Sequence, residues 1–364
     1  MTRILVDLLF FTGTKGGMES YVREIYRRIT PGADGLTYVG LASSELAATD
    51  TSWFPGEIID SGISGEDRIQ WALGELFRVA GFARRAGAQL IHCPANLGPA
   101  WSRVPVVLTV HDLLPFRHPE YVPGAYSHVL RAMIRLAART ARRVLTPSAA
   151  SRDDIVRLLH APTERVDVVP LAGEVRSGAS VRTIVRRPDQ LLAVGNRMPH
   201  KNFETLLEAL ALFSPATRPH LVITGSHGAD PLAPVVARLG LQASVSLRGW
   251  LRTAELETLY AESALFVFPT SFEGFGLPVL EAMALGCPVL CADIPVLREI
   301  AGDAATYVRA NGAAELATAI THLLNAPELL AERGAAGTKQ AQLFTWERSA
   351  HGTVVSFQRA LRDS

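Results

Sequence analysis

Cysteine and lysine are both scarce in this 364-residue chain. The odd set of three cysteines, Cys93, Cys287 and Cys291, does not build a disulfide framework, which favours a reducing compartment. Only three of the 36 basic residues are lysines, and 35 carboxylates reduce the net charge to +1. This near balance argues against an obligate nucleic-acid binder, which carries a basic excess.

Long apolar runs are also missing. No stretch reaches the roughly 18 residues that a membrane span needs. The apolar start, residues 4–11, is short, contains Asp7 and lacks a small-residue cleavage site, so it predicts a buried strand and not a signal peptide. The sequence therefore predicts a soluble, cytoplasmic protein, at most peripheral on the inner face of the membrane.

Several metal and nucleotide motifs are absent from the sequence. There is no Asp-x-Asp pair to bridge a metal to a diphosphate, and neither His-Glu-x-x-His nor Cys-x-x-Cys to hold zinc. The Gly-x-x-x-x-Gly-Lys-Ser/Thr loop of common nucleotide hydrolases is also missing. We therefore expect no metal site and no cofactor.

What the sequence does contain is an alternation of short apolar runs with longer helical patterns, which predicts parallel sheets covered by helices. The predicted strands form two series, at residues 4–9, 90–93, 106–110, 144–146 and 166–169, and at residues 191–194, 220–224, 245–247, 265–268 and 288–291. The predicted helices include residues 18–28, 69–85, 125–141, 202–212, 254–262 and 278–284. Two such series indicate two doubly wound α/β domains.

The boundary between the two domains is predicted after Pro170. Residues 173–188 are rich in small residues and arginine and have no apolar periodicity, which is typical of a linker. We therefore expect a first domain at 1–172, a linker at 173–189 and a second domain at 190–345. A last helix at 346–364 follows, with Thr345 as its N-cap.

The segment 268–282 is the strongest candidate for a ligand site. A predicted strand ends at Pro269, and Pro278 is suited to the first turn of the helix that follows. Backbone N–H groups at Gly276 and Leu277 would be free to bind phosphate. Glu273 and Glu281 carry carboxylates that suit sugar or ribose hydroxyls, although a plain strand–turn–helix with a capping glutamate explains the same pattern.

The segment 194–202 also follows directly after a predicted strand. It contains Arg197 and Lys201, two cations four residues apart in a loop that enters a helix. Ligands bind beyond the carboxyl ends of strands in such sheets, which favours diphosphate binding over a solvated surface pair.

These two segments together resemble the retaining glycosyltransferases of family 4, which have the GT-B fold. The signature of that family is two glutamates separated by seven residues around a Gly-Phe-Gly-Leu-Pro core, which Glu273 and Glu281 match here. The resemblance extends through residues 223–226, 247–250 and 286–289. It is weaker in the first domain, at Gly16-Gly17, residues 109–112 and residues 146–148.

The resemblance implies two facing Rossmann-like domains with a deep cleft between them, and a C-terminal helix that crosses back to the first domain. It also implies roles for single residues. Arg197 and Lys201 would hold the donor diphosphate and Glu273 would contact the transferred sugar, while His111 would bind a donor hydroxyl or orient the acceptor. Donor contacts are further implied for Gly16, Gly17, Gly249, Gly274, Phe275, Gly276, Leu277 and Glu281. For His111, a structural core histidine stays an alternative.

The implied activity is metal-independent hexosyl transfer with retention of configuration. Residues 92–96 and 109–115 look most like mannosyltransferases that build bacterial surface polysaccharides, which favours a GDP-mannose donor and a glycan or lipid-linked acceptor. A UDP-sugar-dependent glucosyltransferase, a phosphorylase or epimerase, and a non-catalytic nucleotide-sugar sensor stay open as alternatives.

One basic stretch suggests a further partner. Between residues 121 and 152 there are six arginines and no carboxylate, and Arg131, Arg135 and Arg139 recur every four residues on one predicted helix. This face is expected either to contact anionic lipid or to be a solvated surface.

Overall fold

The computed structural model describes residues 1–13, 16–122, 124–173, 185–226 and 228–363. The chain divides into two compact units, the first formed by residues 1–171 and 346–364 and the second by residues 172–345. Most of the predicted linker, residues 174–184, lies outside the described residues. The linker prediction extends too far at its end, because the first strand of the second unit already begins at Arg187.

Unit 1 contains one seven-stranded sheet in which all neighbouring strands are parallel, in the order β3-β2-β1-β4-β5-β6-β7. The strands are β1 (Thr2–Leu8), β2 (Leu36–Ala42), β3 (Gly56–Asp60), β4 (Leu90–Cys93), β5 (Val106–Thr109), β6 (Arg143–Thr146) and β7 (Val166–Val168). The helices before β7 are α1 (Gly17–Tyr26), α2 (Ser44–Ala47), α3 (Arg68–Leu73), α4 (Val79–Arg85), α5 (Leu114–Arg117), α6 (Gly124–Thr140) and α7 (Ala149–Leu159). A π-helical segment, Gly74–Arg78, joins α3 to α4.

Unit 2 contains a six-stranded sheet, again parallel throughout, in the order β10-β9-β8-β11-β12-β13. Its strands are β8 (Arg187–Val194), β9 (His220–Ser226), β10 (Val245–Gly249), β11 (Ser263–Phe268), β12 (Val289–Ala292) and β13 (Thr306–Val308). Its helices are α8 (Phe203–Ala211), α9 (Ala233–Arg238), α10 (Thr253–Glu262), α11 (Leu277–Ala284), α12 (Pro295–Ala301), α13 (Ala313–Leu324) and α14 (Pro327–Ala341).

The last helix, α15 (Trp346–Arg362), belongs to unit 1, as predicted. Its apolar face is anchored there by two large side chains, Trp346 and Phe357, that are fully buried. The Ser349 hydroxyl donates a hydrogen bond to the Pro170 carbonyl, 2.6 Å away. The chain therefore starts and ends in the same compact unit.

The prediction of two doubly wound α/β units is confirmed. Central strands such as β11 are buried along their whole length, which is why they are continuous apolar runs in the sequence. Strands β2, β3 and β13 were not among the predicted ones. In each sheet the chain adds two strands on one side of the first strand and then adds the remaining strands on its other side. The switch point, where the strand order reverses, therefore lies between β1 and β4 in unit 1 and between β8 and β11 in unit 2. Loops that leave such a switch point are where ligands bind in open α/β sheets.

Candidate functional site

Two loops leave the switch point of unit 2, one after β8 and one after β11. They are joined directly, because the Ser271 amide donates a hydrogen bond to the His200 carbonyl over 2.8 Å. The Thr270 hydroxyl donates to the same carbonyl over 3.2 Å. The Asn202 side-chain amide donates to the Pro269 carbonyl over 2.9 Å. The two predicted ligand segments therefore form one structural element.

Lys201 and Glu273 meet where the two loops join. The Lys201 ammonium donates to the Glu273 carboxylate with Nζ and Oε1 2.5 Å apart, and the side chains are only 11% and 13% exposed. The ammonium also lies 5.2 Å from the centre of the Phe268 ring, within cation–π range. Because an ammonium has three N–H donors, this pair leaves Lys201 able to bind an anion as well.

Two glycines beside this pair are required by close backbone packing. Gly225 has a φ of +105°, and a Cβ there would lie 2.7 Å from the Gly195 carbonyl oxygen. Gly195 itself packs against the Lys201 side chain, where a Cβ would lie 3.4 Å from Cε. The ends of β8 and β9 are therefore held tightly together under the Lys201 stem.

Arg197 is placed differently from Lys201. Its guanidinium donates to the Asp230 carboxylate, with Nη2 2.8 Å from Oδ2, and its Nη1 donates to the carbonyls of Gly195 and Thr224 at 2.8 and 3.1 Å. The Arg197 side chain is only 5% exposed. Burial alone would raise the pKa of Asp230, but the hydrogen bonds and charge of Arg197 lower it, so the pair is ionised. Arg197 thus secures the loops, and its direct contact with a diphosphate stays a prediction.

The predicted phosphate-binding amides lie at the start of α11. Gly276 is its N-cap with a φ of +104°, and a Cβ there would lie 2.6 Å from Leu297 Cδ2. Leu277 is the first helical residue, so its amide is among those without an intrahelical acceptor. Phe275 is buried, with its ring 6.1 Å from that of Phe344, whereas Gly274 is half-buried. Phe275 therefore packs in the unit 2 interior instead of presenting its ring to a ligand.

Glu281 lies on α11, where its carboxylate meets a side chain from α10. The Tyr260 hydroxyl of α10 donates to Glu281 Oε2 over 3.3 Å. Burial, followed by the Glu281 charge, raises the pKa of Tyr260 well above its ordinary value, so the phenol stays a donor. The sequence does not indicate a role for Tyr260, because nothing in its spacing from Glu281 indicates contact between two separate helices.

Gly249, the remaining candidate in unit 2, ends the edge strand β10. Its carbonyl accepts a 2.7 Å hydrogen bond from the Thr224 hydroxyl on β9. The pairing of β10 with β9 is irregular between Leu247 and Gly249. This residue is exposed beside the carboxyl end of β9, and its contact with the donor stays a prediction.

In unit 1, Gly16 and Gly17 begin α1. Gly16 is the N-cap with a φ of 62°, and a Cβ on Gly17 would meet nothing within 4 Å. The buried Glu19 carboxylate accepts from the amides of Thr12 and Gly13 at 2.7 and 3.0 Å. Glu19, which the sequence did not single out, therefore fixes the loop that leads to these glycines.

His111 follows β5 at the carboxyl end of the unit 1 sheet. Its Nε2 lies 2.8 Å from the Pro94 carbonyl oxygen, which can only accept, so Nε2 carries a proton. Burial lowers the pKa of His111 to about 4, although the Pro94 bond opposes this. The ring is thus neutral at pH 7, and Nδ1 is left as an acceptor for a hydroxyl group. The sequence alone does not indicate which ring nitrogen carries the proton.

A second histidine, His92 on β4, lies in the interior beneath this site. Its Nδ1 is 2.6 Å from the Tyr26 hydroxyl and its Nε2 is 2.9 Å from the Thr109 hydroxyl. Burial, with a smaller contribution from His111, lowers its pKa to about 3. His92 is therefore a hydrogen-bonded core residue that must fold in its neutral form.

Buried His92 predicts a loss of stability on acidification. Between about pH 6.5, where histidine titrates in an unfolded chain, and its folded pKa of about 3, the unfolded state binds the extra proton. The free energy of unfolding should therefore fall from pH 7 to pH 5, by about 2 kcal/mol for this residue. Urea unfolding of His92→Gln should show a smaller pH dependence than the parent, and exposed His322→Gln an unchanged one. Equal pH dependence in all three proteins would contradict this role.

Two family models match the chain. One, described as "Glycosyl transferases group 1", matches residues 181–340, and the other, described as "Glycosyltransferase Family 4", matches residues 15–172. The first covers most of unit 2, including both switch-point loops. The second covers most of the first 172 residues.

Individual proteins agree with these matches. O-antigen chain mannosyltransferase B of Escherichia coli is 31% identical over 265 residues, which are 69% of this chain and 70% of that protein. O-antigen chain mannosyltransferase RfbU of Salmonella typhimurium is 28% identical over 224 residues, or 61% and 62% of the two chains. The structure of Anabaena HepE with UDP-glucose has a TM-score of 0.75 at 18% identity, covering 99% and 100% of the chains. The last likeness shows a shared fold.

Proposed function

This chain belongs to the family-4 glycosyltransferases, and we propose that it transfers mannose from GDP-mannose, with retention, to a glycan or lipid-linked acceptor in surface polysaccharide biosynthesis. The observation that carries the proposal is the Lys201–Glu273 pair at the switch point of unit 2. The pair places a cation next to a carboxylate. In a sugar diphosphate, phosphate groups that a cation can bind lie next to sugar hydroxyls that can donate hydrogen bonds to a carboxylate. Two O-antigen mannosyltransferases among the relatives support mannose as the sugar.

In the proposed reaction, Lys201 binds the donor diphosphate and stabilises the negative charge that grows as the glycosidic bond breaks. The amide of Leu277 adds a second donor from the start of α11. Glu273 accepts hydrogen bonds from the transferred sugar and holds the ammonium in place. Glu281, oriented by Tyr260, binds the ribose hydroxyls.

We propose that a phosphate oxygen of the leaving group takes the proton of the acceptor hydroxyl on the face where transfer occurs. That arrangement preserves the anomeric configuration and needs no protein carboxylate as base. Neutral His111 suits a hydroxyl-binding role, because its Nδ1 can accept a hydrogen bond while its charge stays zero at pH 7. Arg197 acts here by holding the Gly195 loop in position, through its contacts with Asp230 and two carbonyls.

Metal-independent transfer is part of the proposal. Among the described residues, no group of three or more His, Cys, Asp or Glu side chains is arranged to hold a metal ion. Lys201 supplies positive charge of the kind that a bound divalent cation provides elsewhere. Transfer should therefore continue at full rate after chelation with EDTA.

A lipid-linked acceptor would bring the protein to a membrane surface, and Arg131, Arg135 and Arg139 are the proposed contacts. All three lie on α6, where Arg135 and Arg139 are exposed and Arg131 is half-buried. No helix among the described residues combines the length and hydropathy that a membrane span requires.

UDP-glucose is the second candidate donor, because the structural relative HepE was solved with that compound. A thermal-shift panel of GDP-mannose, UDP-glucose and their free nucleotides separates the two. At about one hundred times its dissociation constant, the true donor should stabilise the protein by roughly 2.7 kcal/mol. Stabilisation by UDP-glucose alone would replace mannose with glucose, and stabilisation by neither would contradict both donors.

Turnover is the second arm of this test. Release of GDP or UDP that increases when a membrane glycolipid extract is added indicates transfer. Tight donor binding without any such release indicates a nucleotide-sugar sensor instead.

A further inference from the structure

Exposed apolar side chains are concentrated on one part of unit 1. Of the twelve large apolar side chains exposed in the described part of the chain, seven lie between residues 69 and 136. Among them are Ile69, Leu73, Phe77, Trp101, Val129 and Leu136. Scattered single exposures are normal in soluble proteins, whereas a contiguous group indicates an interaction surface.

Three of these side chains form a line along α3 and the π-helical segment. Ile69, Leu73 and Phe77 are 73%, 51% and 68% exposed and recur every four residues. On a regular α-helix each four-residue step overshoots a full turn by about 40°, so such a line drifts around the helix. The wider turn of Gly74–Arg78 reduces this drift and keeps Phe77 in line with Ile69.

Trp101 extends this line towards α6. The Ala100 amide donates to the Leu76 carbonyl over 3.1 Å, and the Thr140 hydroxyl donates to the Ala100 carbonyl over 2.9 Å. Trp101, which is 62% exposed, therefore lies between the π-helical segment and the end of α6. We call Ile69, Leu73, Phe77 and Trp101 the apolar ridge.

The chain segment that carries the apolar ridge is strongly basic. Residues 68–152 contain twelve arginines and three carboxylates. Arg117, Arg143 and Arg152 pair with aspartates beyond that range, Asp154, Asp167 and Asp153. Setting those three arginines aside leaves nine arginines against three carboxylates. Of those carboxylates, Glu75 is buried, Asp112 accepts from the Leu114 amide at 2.9 Å and Glu120 lies 2.9 Å from His118. The Arg103 guanidinium lies 5.6 Å from the centre of the Trp101 ring.

The apolar ridge and the arginines of α6 face outward on the same side of the sheet. Trp71, Leu76 and Phe82 from the α3–α4 region pack against the same hydrophobic core cluster as Met133 and Ile134 of α6. Side chains on the opposite, exposed sides of these helices therefore share one surface. This surface combines large apolar groups with positive charge.

We propose that this surface docks on an anionic lipid bilayer, with the apolar ridge entering the headgroup region and the α6 arginines facing lipid phosphates. Apolar insertion and basic attraction are the two contributions that bind peripheral proteins to such membranes. The docking proposal rests on the proposed function, because docking on a membrane would bring unit 1 to a lipid-linked acceptor. Its test is independent of transfer.

Co-sedimentation of the full chain with phosphatidylcholine vesicles, with and without phosphatidylglycerol, tests this docking. We expect binding to the anionic vesicles only. The double variant Phe77→Glu/Trp101→Glu should bind these vesicles at least tenfold more weakly. The triple variant, in which Arg131, Arg135 and Arg139 are each replaced with glutamate, should bind them about a hundredfold more weakly at low salt. The control pair Leu212→Glu and Arg238→Glu, exposed in unit 2, should bind like the parent protein.

Three results would overturn the proposal. They are absent vesicle binding, unchanged binding of the Phe77/Trp101 variant, and a dimer in light scattering that this variant dissociates. The last result would make the surface an interface between two copies. Thermal stabilisation by GDP-mannose is measured on every variant, and its absence throughout counts against the proposed donor while leaving the vesicle result valid.

Discussion

Replacing Lys201 with alanine is expected to lower the rate of sugar transfer by a factor of about 10² to 10³. The Lys201 ammonium is the cation that lies beside the Glu273 carboxylate, 2.5 Å from it, where the two switch-point loops join. Without it, the negative charge that develops on the leaving diphosphate loses a stabilising partner. The remaining Glu273 charge, only 13% exposed, would in addition repel the diphosphate. Initial rates measured against donor concentration give kcat and kcat/KM for the comparison.

The scarcity of lysine provides a matched control for this experiment. Lys339 is exposed on α14, and Lys339→Ala should transfer at the parental rate. Lys201→Arg keeps the charge in a bulkier, planar group and should recover part of the loss. Glu281→Ala should also lower transfer, by about a hundredfold, through the lost ribose contact. Parental rates in both Lys201→Ala and Glu281→Ala would reject the site.

Replacing Asp167 with alanine is expected to destabilise unit 1 by about 3–5 kcal/mol. The Asp167 carboxylate on β7 accepts two 2.7 Å hydrogen bonds from Arg143, and both side chains are less than a tenth exposed. From α15, Ser356 and Arg359 donate to the same carboxylate at 2.6 and 2.7 Å. The substitution would leave Arg143 buried with this partner lost and loosen α15. Urea unfolding and hydrogen exchange of residues 346–362 measure the two effects.

The stabilisation that Asp167 gives to unit 1 should decrease at low pH. Burial alone would raise the pKa of Asp167, but the hydrogen bonds from Arg143, Ser356 and Arg359 lower it below its ordinary value. Its stabilisation is therefore complete above about pH 4, the pKa of an unfolded aspartate, and is lost as the pH falls through the lower folded value. Asp153→Ala, in an exposed surface pair, should change stability by less than about 1 kcal/mol. An equally small change at Asp167 would show that α15 is held by apolar packing alone.

Much of the fold could be predicted from the sequence, because parallel strands buried on both faces are continuous apolar runs. Residues 90–93 were predicted with their observed bounds, and the predicted start at residue 106 is also observed. The bounds of β8 could not be predicted, since its first three residues, Arg187, Pro188 and Asp189, are exposed and do not belong to the apolar run that starts at Leu191. The strand β3 was missed for a related reason, because it lies at the sheet edge and none of its residues is fully buried.

The positions of the two loops of the candidate site could be predicted from the ends of the strands and the spacing of the motifs. Both switch-point loops were placed correctly after their strands, and their junction follows from neighbouring strands β8 and β11. Spacing could not show that Arg197 turns towards Asp230 while Lys201, four residues later, turns towards Glu273. The direction of the Arg197 side chain depends on the position of the Asp230 carboxylate, which follows β9 in the chain.

The sequence by itself determined two α/β units, the strand-end position of the phosphate-binding segments and the basic character of α6, because periodicity and local composition govern all three. Only the tertiary structure decided the partners of buried polar groups: Tyr260 with Glu281, Glu19 with its loop amides, and the His111 proton on Nε2. It also decided that the apolar ridge stays exposed. These contacts join residues on separate elements, and local sequence carries no information on which separate elements will meet.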